Sequence, residues 1–474
     1  MKTVELIKNR IKNARCAVLG FGVSNIPLVE LLIECGNEII VHDKKALDKL
    51  GEKAIEFSNR GVRFVTGENY LDEIDADIIF RSPGIRPDYD GILKAIEKGA
   101  ELTSEMELFL ELTPAYILAI TGSDGKTTTT TITYKLLEKQ FENSDSKIYV
   151  GGNIGTPLLS KLGEMTEKDI CVLELSSFQL FTCQKRIDRA VITNLSPNHL
   201  DWHKDMNEYV EAKTNIYKHG CAQLILNGKN ELSKQLPISD DIKVSLFSAD
   251  FSYDDIETKY KNNPDERSES AMFIHEGNIY RYYNQHVMRV LDTNAVLLLG
   301  KHNIENYMAA IALTWGLVSI HTIFSVASTF VGVEHRLEFV REFDGVFYVN
   351  SSIDSSPSRT AAALSALSIK PIVICGGYDK QIPFEPLAKA LNERAKAVVL
   401  TGATAEKIYD VLKFSESQIE IHIEKDFKLA IEKARSIAQK NDIVLLSPAC
   451  ASFDAFDNFM QRGNKFKEIV NDFK

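Results

Sequence analysis

Short apolar runs alternate with amphipathic stretches along most of this chain, and no other feature restricts its fold as much. Residues 15–19 (RCAVL), 115–120 (AYILAI), 170–173 (ICVL), 371–374 (PIVI) and 443–446 (IVLL) are apolar almost throughout. Runs of that length and character read as buried strands. The stretches between them carry helical spacing. In 24–35, Ile26, Val29, Leu32 and Ile33 recur at helical intervals, and Gly36 supplies a stop. Strand and helix in alternation define the α/β class.

A chain of 474 residues has room for roughly three domains at about 150 residues each. The first hundred residues read as a Rossmann-like unit. A strand leads through Gly20-Phe21-Gly22 into a helix, and a second strand ends at His42-Asp43. A further strand at 76–80 runs into Ser82-Pro83-Gly84. Each strand is followed by a turn where a ligand can sit. A second block opens at Ala115, with strands at 170–173, 189–193 and 223–226. Its polar stretch 239–290 reads as small antiparallel strands, and 303–318 as an Ala-rich helix. The third block runs from near Gly332 to Lys474, with strands at 346–349, 371–374, 397–400 and 443–446.

Lys plus Arg number 55 and Asp plus Glu 66, a net charge of −11. That excludes a generic binder of nucleic acid or anionic membranes, although a local basic pocket can still take an anionic substrate. Seven cysteines, widely spaced and without a CxxC pair, point to buried thiols in a reducing compartment. No apolar run approaches the roughly 18 residues of a membrane span. The start has scattered charges and no signal-peptide core, so a cytoplasmic protein is expected.

The segment 119–128 (AITGSDGKTT) carries the most chemistry. Placed between a strand and a helix, its glycines let backbone N–H groups close around phosphates. Lys126 can reach the β and γ phosphates, and a Thr hydroxyl can hold Mg²⁺. The pattern departs from the usual GxxxxGK[ST], because its first glycine comes late, at Gly122. Gly20-Phe21-Gly22-Val23-Ser24-Asn25, with Asp43 further on, fits a dinucleotide turn and a plain packing turn equally. Glu174, at a strand end, is a candidate Mg²⁺ ligand, or a solvated acid if taken alone. The run 193–203, with Asn198, His199, Asp201 and His203, looks metal-like but lacks a closed zinc set, and a polar loop explains it as well. By spacing alone Lys213 is a helix-surface lysine. Asn303 and Asn306 share one helix face, which capping would also explain.

Taken together, TGSDGKTTTT, GGNIGTPLL, LELSSFQL, TNLSPNHLDWH, GKHNIENYMAA, GVEHRLEFV and SPACASFDAFDNFMQRGNKF stand in the order and approximate spacing of the Mur ligases. These are the ATP-dependent amino-acid ligases of bacterial peptidoglycan synthesis. The resemblance spans nearly the whole chain, and the last motif resembles that of the D-glutamate-adding branch.

The resemblance implies three domains: 1–109 for a UDP-linked substrate, 110–332 for ATP and 333–474 for the amino acid. The Rossmann-like first domain then holds UDP, not NAD. It implies a reaction in which UDP-N-acetylmuramoyl-L-alanine is activated by ATP as an acyl phosphate and attacked by D-glutamate, in the cytoplasm, by a monomer. Gly122, Ser123, Asp124, Gly125, Lys126, Thr127 and Thr128 would hold ATP phosphates. Asn303 would contact the base, and Arg336 the nucleotide where the third domain begins. Thr127, Glu174, His199 and Lys213 would hold Mg²⁺, with Lys213 carbamylated, and Lys126, His199 and Lys213 would carry catalysis. Ser24, Asp43 and Asn153 would meet the UDP-linked substrate. Lys380, Ser452, Phe459 and Ser355 would meet D-glutamate, with Ser452 and Phe459 two helical turns apart on one face. One segment departs from the family's N-D-S-K-A-T-N. Here it reads Asn350-Ser351-Ser352-Ile353-Asp354-Ser355-Ser356, so the missing acid and lysine lend no role. Asp354 could supply a shifted carboxylate. The alternatives are a sister ligase, including a folylpolyglutamate synthase, a P-loop kinase or NTP-driven switch, and an NAD-dependent oxidoreductase.

Overall fold

Each apolar run becomes a buried strand, and the strands gather into three sheets. In the computed structural model all residues are described except 1, 201, 263–267, 299, 368, 416 and 417. The first sheet holds β1 (Arg15–Leu19), β2 (Glu38–Asp43), β3 (Arg63–Thr66), β4 (Ile78–Arg81) and β5 (Glu101–Thr103), in the order β3-β2-β1-β4-β5, all parallel. The helix Asn25–Cys35 stops at Gly36 in the left-handed conformation, as its sequence implied.

The second sheet runs β6 (Tyr116–Thr121), β7 (Ile148–Gly152), β8 (Ile170–Glu174), β9 (Arg189–Ile192), β10 (Gln223–Asn227), β11 (Lys243–Phe247), β12 (Ser268–His275), β13 (Asn278–Tyr283) and β14 (His286–Asp292). Its order is β14-β13-β12-β11-β10-β9-β6-β8-β7. The stretch read as small antiparallel strands is more regular than expected. β11 and β12 extend the parallel ladder, and only β12–β14 run antiparallel. β8 is buried at every position, as befits a strand covered on both faces.

The third sheet holds β15 (Glu338–Phe343), β16 (Val346–Asn350), β17 (Ile372–Gly376), β18 (Ala397–Thr401), β19 (Glu420–Ile423) and β20 (Ile443–Leu446), ordered β15-β16-β20-β17-β18-β19.

The chain divides into two compact units, Met1–Ala295 with Glu305–Val326, and Val296–Ile304 with Ala327–Lys474. One continuous apolar core, from Ile7 and Val18 to Cys171, Leu224 and Phe273, serves both the first and second sheets. The helix Glu105–Leu112 runs across position 109, where the first domain was expected to end. All seven cysteines are buried free thiols. Among the described residues no helix is long and apolar enough to cross a membrane.

Candidate functional site

The richest site lies at the carboxyl ends of β6, β8 and β9, neighbours in the second sheet, where ligands of parallel α/β sheets sit. After β6 the chain turns through Gly122 (φ 147°) and Gly125 (φ 76°) into the helix Lys126–Gln140. A Cβ on Gly122 would lie 1.9 Å from Thr193 Oγ1, and one on Gly125 would lie 2.4 Å from Asn306 Oδ1. Both the backbone angle and the close approach therefore demand glycine.

The loop is braced by the motif after β9. Ser123 N donates to Asn194 O at 2.9 Å, Asp124 N to Asn194 Oδ1 at 2.9 Å, and Thr193 Oγ1 to Asp124 O at 2.6 Å. Ser123 Oγ also meets Tyr209 OH at 2.9 Å. With the amides of Ser123 and Asp124 committed inside the protein, the first helical turn beginning at Lys126 is left to offer N–H groups to an anion. Lys126 Nζ reaches back to Gly122 O and Ser123 O, each at 2.9 Å, so its charge lies over the loop.

Glu174 ends β8 and is 1% exposed. Its Oε1 accepts from Asn153 Nδ2 at 2.7 Å, while its Oε2 is buried without a protein partner. A buried carboxylate oxygen left over in this way suits a cation. Asn153 itself is exposed at the end of β7, where its side chain orients Glu174.

Lys213 corrects its spacing-based reading. It sits in the helix Met206–Thr214, capped by Asp205, yet it is 1% exposed. Its Nζ donates to Thr121 Oγ1 at 3.2 Å and Gly122 O at 2.9 Å and lies 4.7 Å from the centre of the Tyr209 ring. Burial, reinforced by the charge of Lys126, pushes its pKa well below the usual lysine value, and Glu174 and Asp124 only partly oppose this. A neutral amine is the form that adds CO₂, so the site fits a carbamate. Among the described residues no three His, Cys, Asp or Glu side chains cluster as a ready metal site; a carbamate would add the oxygen ligand such a site lacks.

His199 stands apart from the buried set as an exposed residue at φ 54°, its ring 4.9 Å from that of Phe178. Asp201 lies outside the described residues. Thr127 and Thr128 occupy the first turn of the phosphate-loop helix. Asn306 accepts from Thr129 Oγ1, in the helix that follows the loop, at 3.2 Å. Asn303 lies in the first turn of its own helix, its N–H on Gly300 O.

In the first sheet the turns after β1, β2 and β4 meet. Asp43 Oδ2 accepts from Phe21 N at 2.7 Å and Oδ1 from Lys45 N at 2.8 Å. Asn25, which replaces a third glycine, donates to Gly20 O at 2.9 Å and Ser82 Oγ at 3.0 Å. Ser24 precedes this helix with no side-chain cap bond.

The third sheet has its own constellation. Lys380 is exposed after β17, its Nζ 3.5 Å from Ser355 Oγ, the outer limit of a hydrogen bond. Ser452 is 2% exposed. The expected shared helix face of Ser452 and Phe459 is not formed, because Asn458 caps the helix Phe459–Asn471 through Gln461 N and leaves 452–458 in turns. Phe459 instead packs edge-on against His335 at 5.9 Å. Arg462, absent from the sequence reading, is the keystone. It is 2% exposed and donates to Ala451 O, Cys450 O, Ser352 O and Ser352 Oγ at 2.9–3.1 Å. It thus ties the SPACAS turn to the segment that departs from the family. Ser351 and Ser352 are wholly buried and serve backbone groups of Leu337 and Phe459. Asp354 Oδ2 accepts from Ser447 Oγ at 2.8 Å, and burial raises its pKa to about 6. The charge of Arg336 acts on that carboxylate.

Family models match in chain order: a MurD N-terminal domain at 15–90, a Mur ligase middle domain at 120–314 and a Mur ligase glutamate ligase domain at 335–450. The chain is 47% identical over 477 residues to the UDP-N-acetylmuramoylalanine–D-glutamate ligase of Clostridium novyi, covering 99% of each. With the same-named enzyme of Clostridium perfringens it shares 44% identity, covering 98% of each. Among solved structures, MurF of Acinetobacter baumannii shares the fold with a TM-score of 0.55 at 14% identity, covering 98% of both chains. MurC of Thermotoga maritima does so with a TM-score of 0.54 at 17% identity, covering 97% of this chain and all of that one. With the phosphate loop, the buried carboxylate and the buried lysine in place, these likenesses make the chain a member of the Mur ligase family, an ATP-dependent amide-forming enzyme.

Proposed function

We infer that this protein joins D-glutamate to UDP-N-acetylmuramoyl-L-alanine with ATP, giving ADP and phosphate, in cytoplasmic peptidoglycan precursor synthesis. It works as a monomer with three functional regions, 1–109, 110–332 and 333–474. The substrates follow from the names of its full-length relatives. The observation that carries the chemistry is the half-buried Lys126 over the phosphate loop, beside the buried carboxylate of Glu174 and the buried amine of Lys213.

The substrate carboxylate attacks the γ-phosphorus and ADP leaves. The amine of D-glutamate then adds to the acyl carbon, and the tetrahedral intermediate expels phosphate. Negative charge accumulates in the first step, and Lys126 with the helix N-terminus holds it in place. Gly122, Ser123, Asp124 and Gly125 shape the loop, and Thr127 and Thr128 supply hydroxyls in its first helical turn. Mg²⁺ would neutralise triphosphate charge. Glu174, through its unpartnered oxygen, would hold it with Thr127, His199 and a carbamylated Lys213. Asn303 and Arg336 are assigned to the nucleotide. Ser24, Asp43 and Asn153 are assigned to the UDP-linked substrate; the Asp43 carboxylate, already bonded to Phe21 N, keeps its turn open for that role. Lys380 and Ser355 would meet a carboxylate of D-glutamate, beside Ser452 and Phe459. The test is phosphate release, which requires ATP, the UDP-linked substrate and an amino acid together. Release without the amino acid would favour a kinase or an NTP-driven switch, and tight binding of NAD in place of UDP would favour an oxidoreductase.

A further inference from the structure

The end of β4 and the turn after it carry two arginines, Arg81 and Arg86, that neither the nucleotide nor the acceptor chemistry uses. Arg81 is 1% exposed. Its guanidinium donates to Pro83 O at 3.0 Å and Ile85 O at 2.7 Å within its own turn. It also crosses to the second sheet's flank, to Phe178 O at 3.0 Å and Thr182 Oγ1 at 3.2 Å. Those acceptors lie on and just beyond the short helix Ser177–Leu180 that follows Glu174. Arg86 makes the second crossing. It pairs with Glu208 through two N–H groups at 2.9 and 3.0 Å, donates to Trp202 O at 2.6 Å and lies 4.8 Å from the Trp202 ring centre. Trp202 Nε1 returns a bond to Gly84 O at 3.0 Å. Lys204 adds an ion pair to Asp88 at 3.1 Å.

Burying a guanidinium is costly, and Arg81 Nε is itself buried without a partner, so the cost is offset through the bonds of its two Nη groups. A turn that only reversed the chain could leave its carbonyls to water. Here two buried or half-buried cations fasten residues 82–88 to both segments that neighbour Glu174 and His199. The geometry points to Arg81 and Arg86 as positioning residues: they hold the turn after β4 in one register with the segments after β8 and β9, so that a UDP-linked substrate seated on the first sheet presents its carboxylate to the phosphate loop. This rests on the ligase reading given above. Misplacement of a reacting group by about an ångström is enough to lose rate.

Arg86→Met keeps the stem over Trp202 and removes the charge. It should raise the KM for UDP-N-acetylmuramoyl-L-alanine about tenfold, shift the KM for ATP less than twofold and speed amide hydrogen exchange at both 82–88 and 199–208. Glu208→Gln should do the same, the double variant should be no worse than either single one, and Arg86→Lys should recover part of the loss. Faster exchange with an unchanged substrate KM would reduce the pair to a structural brace and overturn the proposal, as would no change in either readout. Absence of D-glutamate ligation in the unaltered protein would instead overturn the ligase reading, which separates the two failures.

Discussion

The second and third sheets present their cationic side chains in opposite ways. Around the phosphate loop the groups that matter lie at or below the surface: Lys213 and Glu174 are each 1% exposed, and the loop between them is strung on bonds from Thr193 and Asn194. In the third sheet the candidate contact cation, Lys380, is exposed and only grazes Ser355. There the buried cation is Arg462, which faces backbone carbonyls rather than a ligand site. The first site holds Lys126 and Glu174 in fixed bonds, and the second is a braced frame with an exposed contact. Preorganised charge suits a step in which charge develops on phosphate, whereas an exposed lysine suits a small diffusible acceptor that arrives with its own carboxylates.

That contrast can be broken at several points. Lys126→Ala should cost about 10²–10³ in kcat with little change in thermal unfolding, since its bonds to Gly122 O and Ser123 O stay within its own loop. Near-normal turnover would remove the phosphate-site reading. Lys380→Ala should raise the D-glutamate KM about 10- to 150-fold through loss of one charge-assisted hydrogen bond, leaving the KM values for ATP and the UDP-linked substrate in place. Equal damage to all three would make Lys380 part of the frame. Lys213→Ala should lower turnover about 10- to 100-fold, and short carboxylates should restore some of it by standing in for a carbamate. An intact mass that lacks added CO₂, together with no rescue, would make Lys213 a buried amine only.

A last effect, on stability and not on turnover, concerns the frame itself. Burial raises the pKa of Asp354 from 3.8 to about 6, so the folded protein holds this proton more tightly than the unfolded chain does. Its contribution is most favourable below the unfolded value and is lost as pH rises toward about 6, worth about 3 kcal/mol across that window. Asp354→Asn keeps a partner for Ser447 and should flatten the stability slope between about pH 4 and pH 6 in denaturant unfolding. A slope unchanged from that of the parent would mean the carboxylate is better solvated than its burial implies.

The sheets were readable because apolar runs bounded by glycine turns leave few alternatives, and the phosphate loop because strand, glycines, Lys126 and helix are contiguous. Lys213 was not readable as buried. Its neighbours Glu211 and Thr214 look like a helix surface, and what buries it is the distant turn at Thr121 and Gly122. Asn306 was seen only as a helix-face partner of Asn303; its contact with Thr129 spans 177 positions. The Ser452–Phe459 spacing suggested two helical turns, but Asn458 stops the helix one residue before Phe459. The role of Arg462 leaves no local sequence pattern, because its four backbone and hydroxyl acceptors come from separate segments.

The most direct test of the central claim is a panel of amino acids offered to the protein with ATP, Mg²⁺ and UDP-N-acetylmuramoyl-L-alanine, with the UDP-linked product read by mass. D-glutamate should give a product heavier by one glutamyl residue, with one phosphate released per bond, and L-glutamate, L-alanine, L-lysine and meso-diaminopimelate should give none. A product with any of those in place of D-glutamate, or phosphate release with no new amide, would contradict the account.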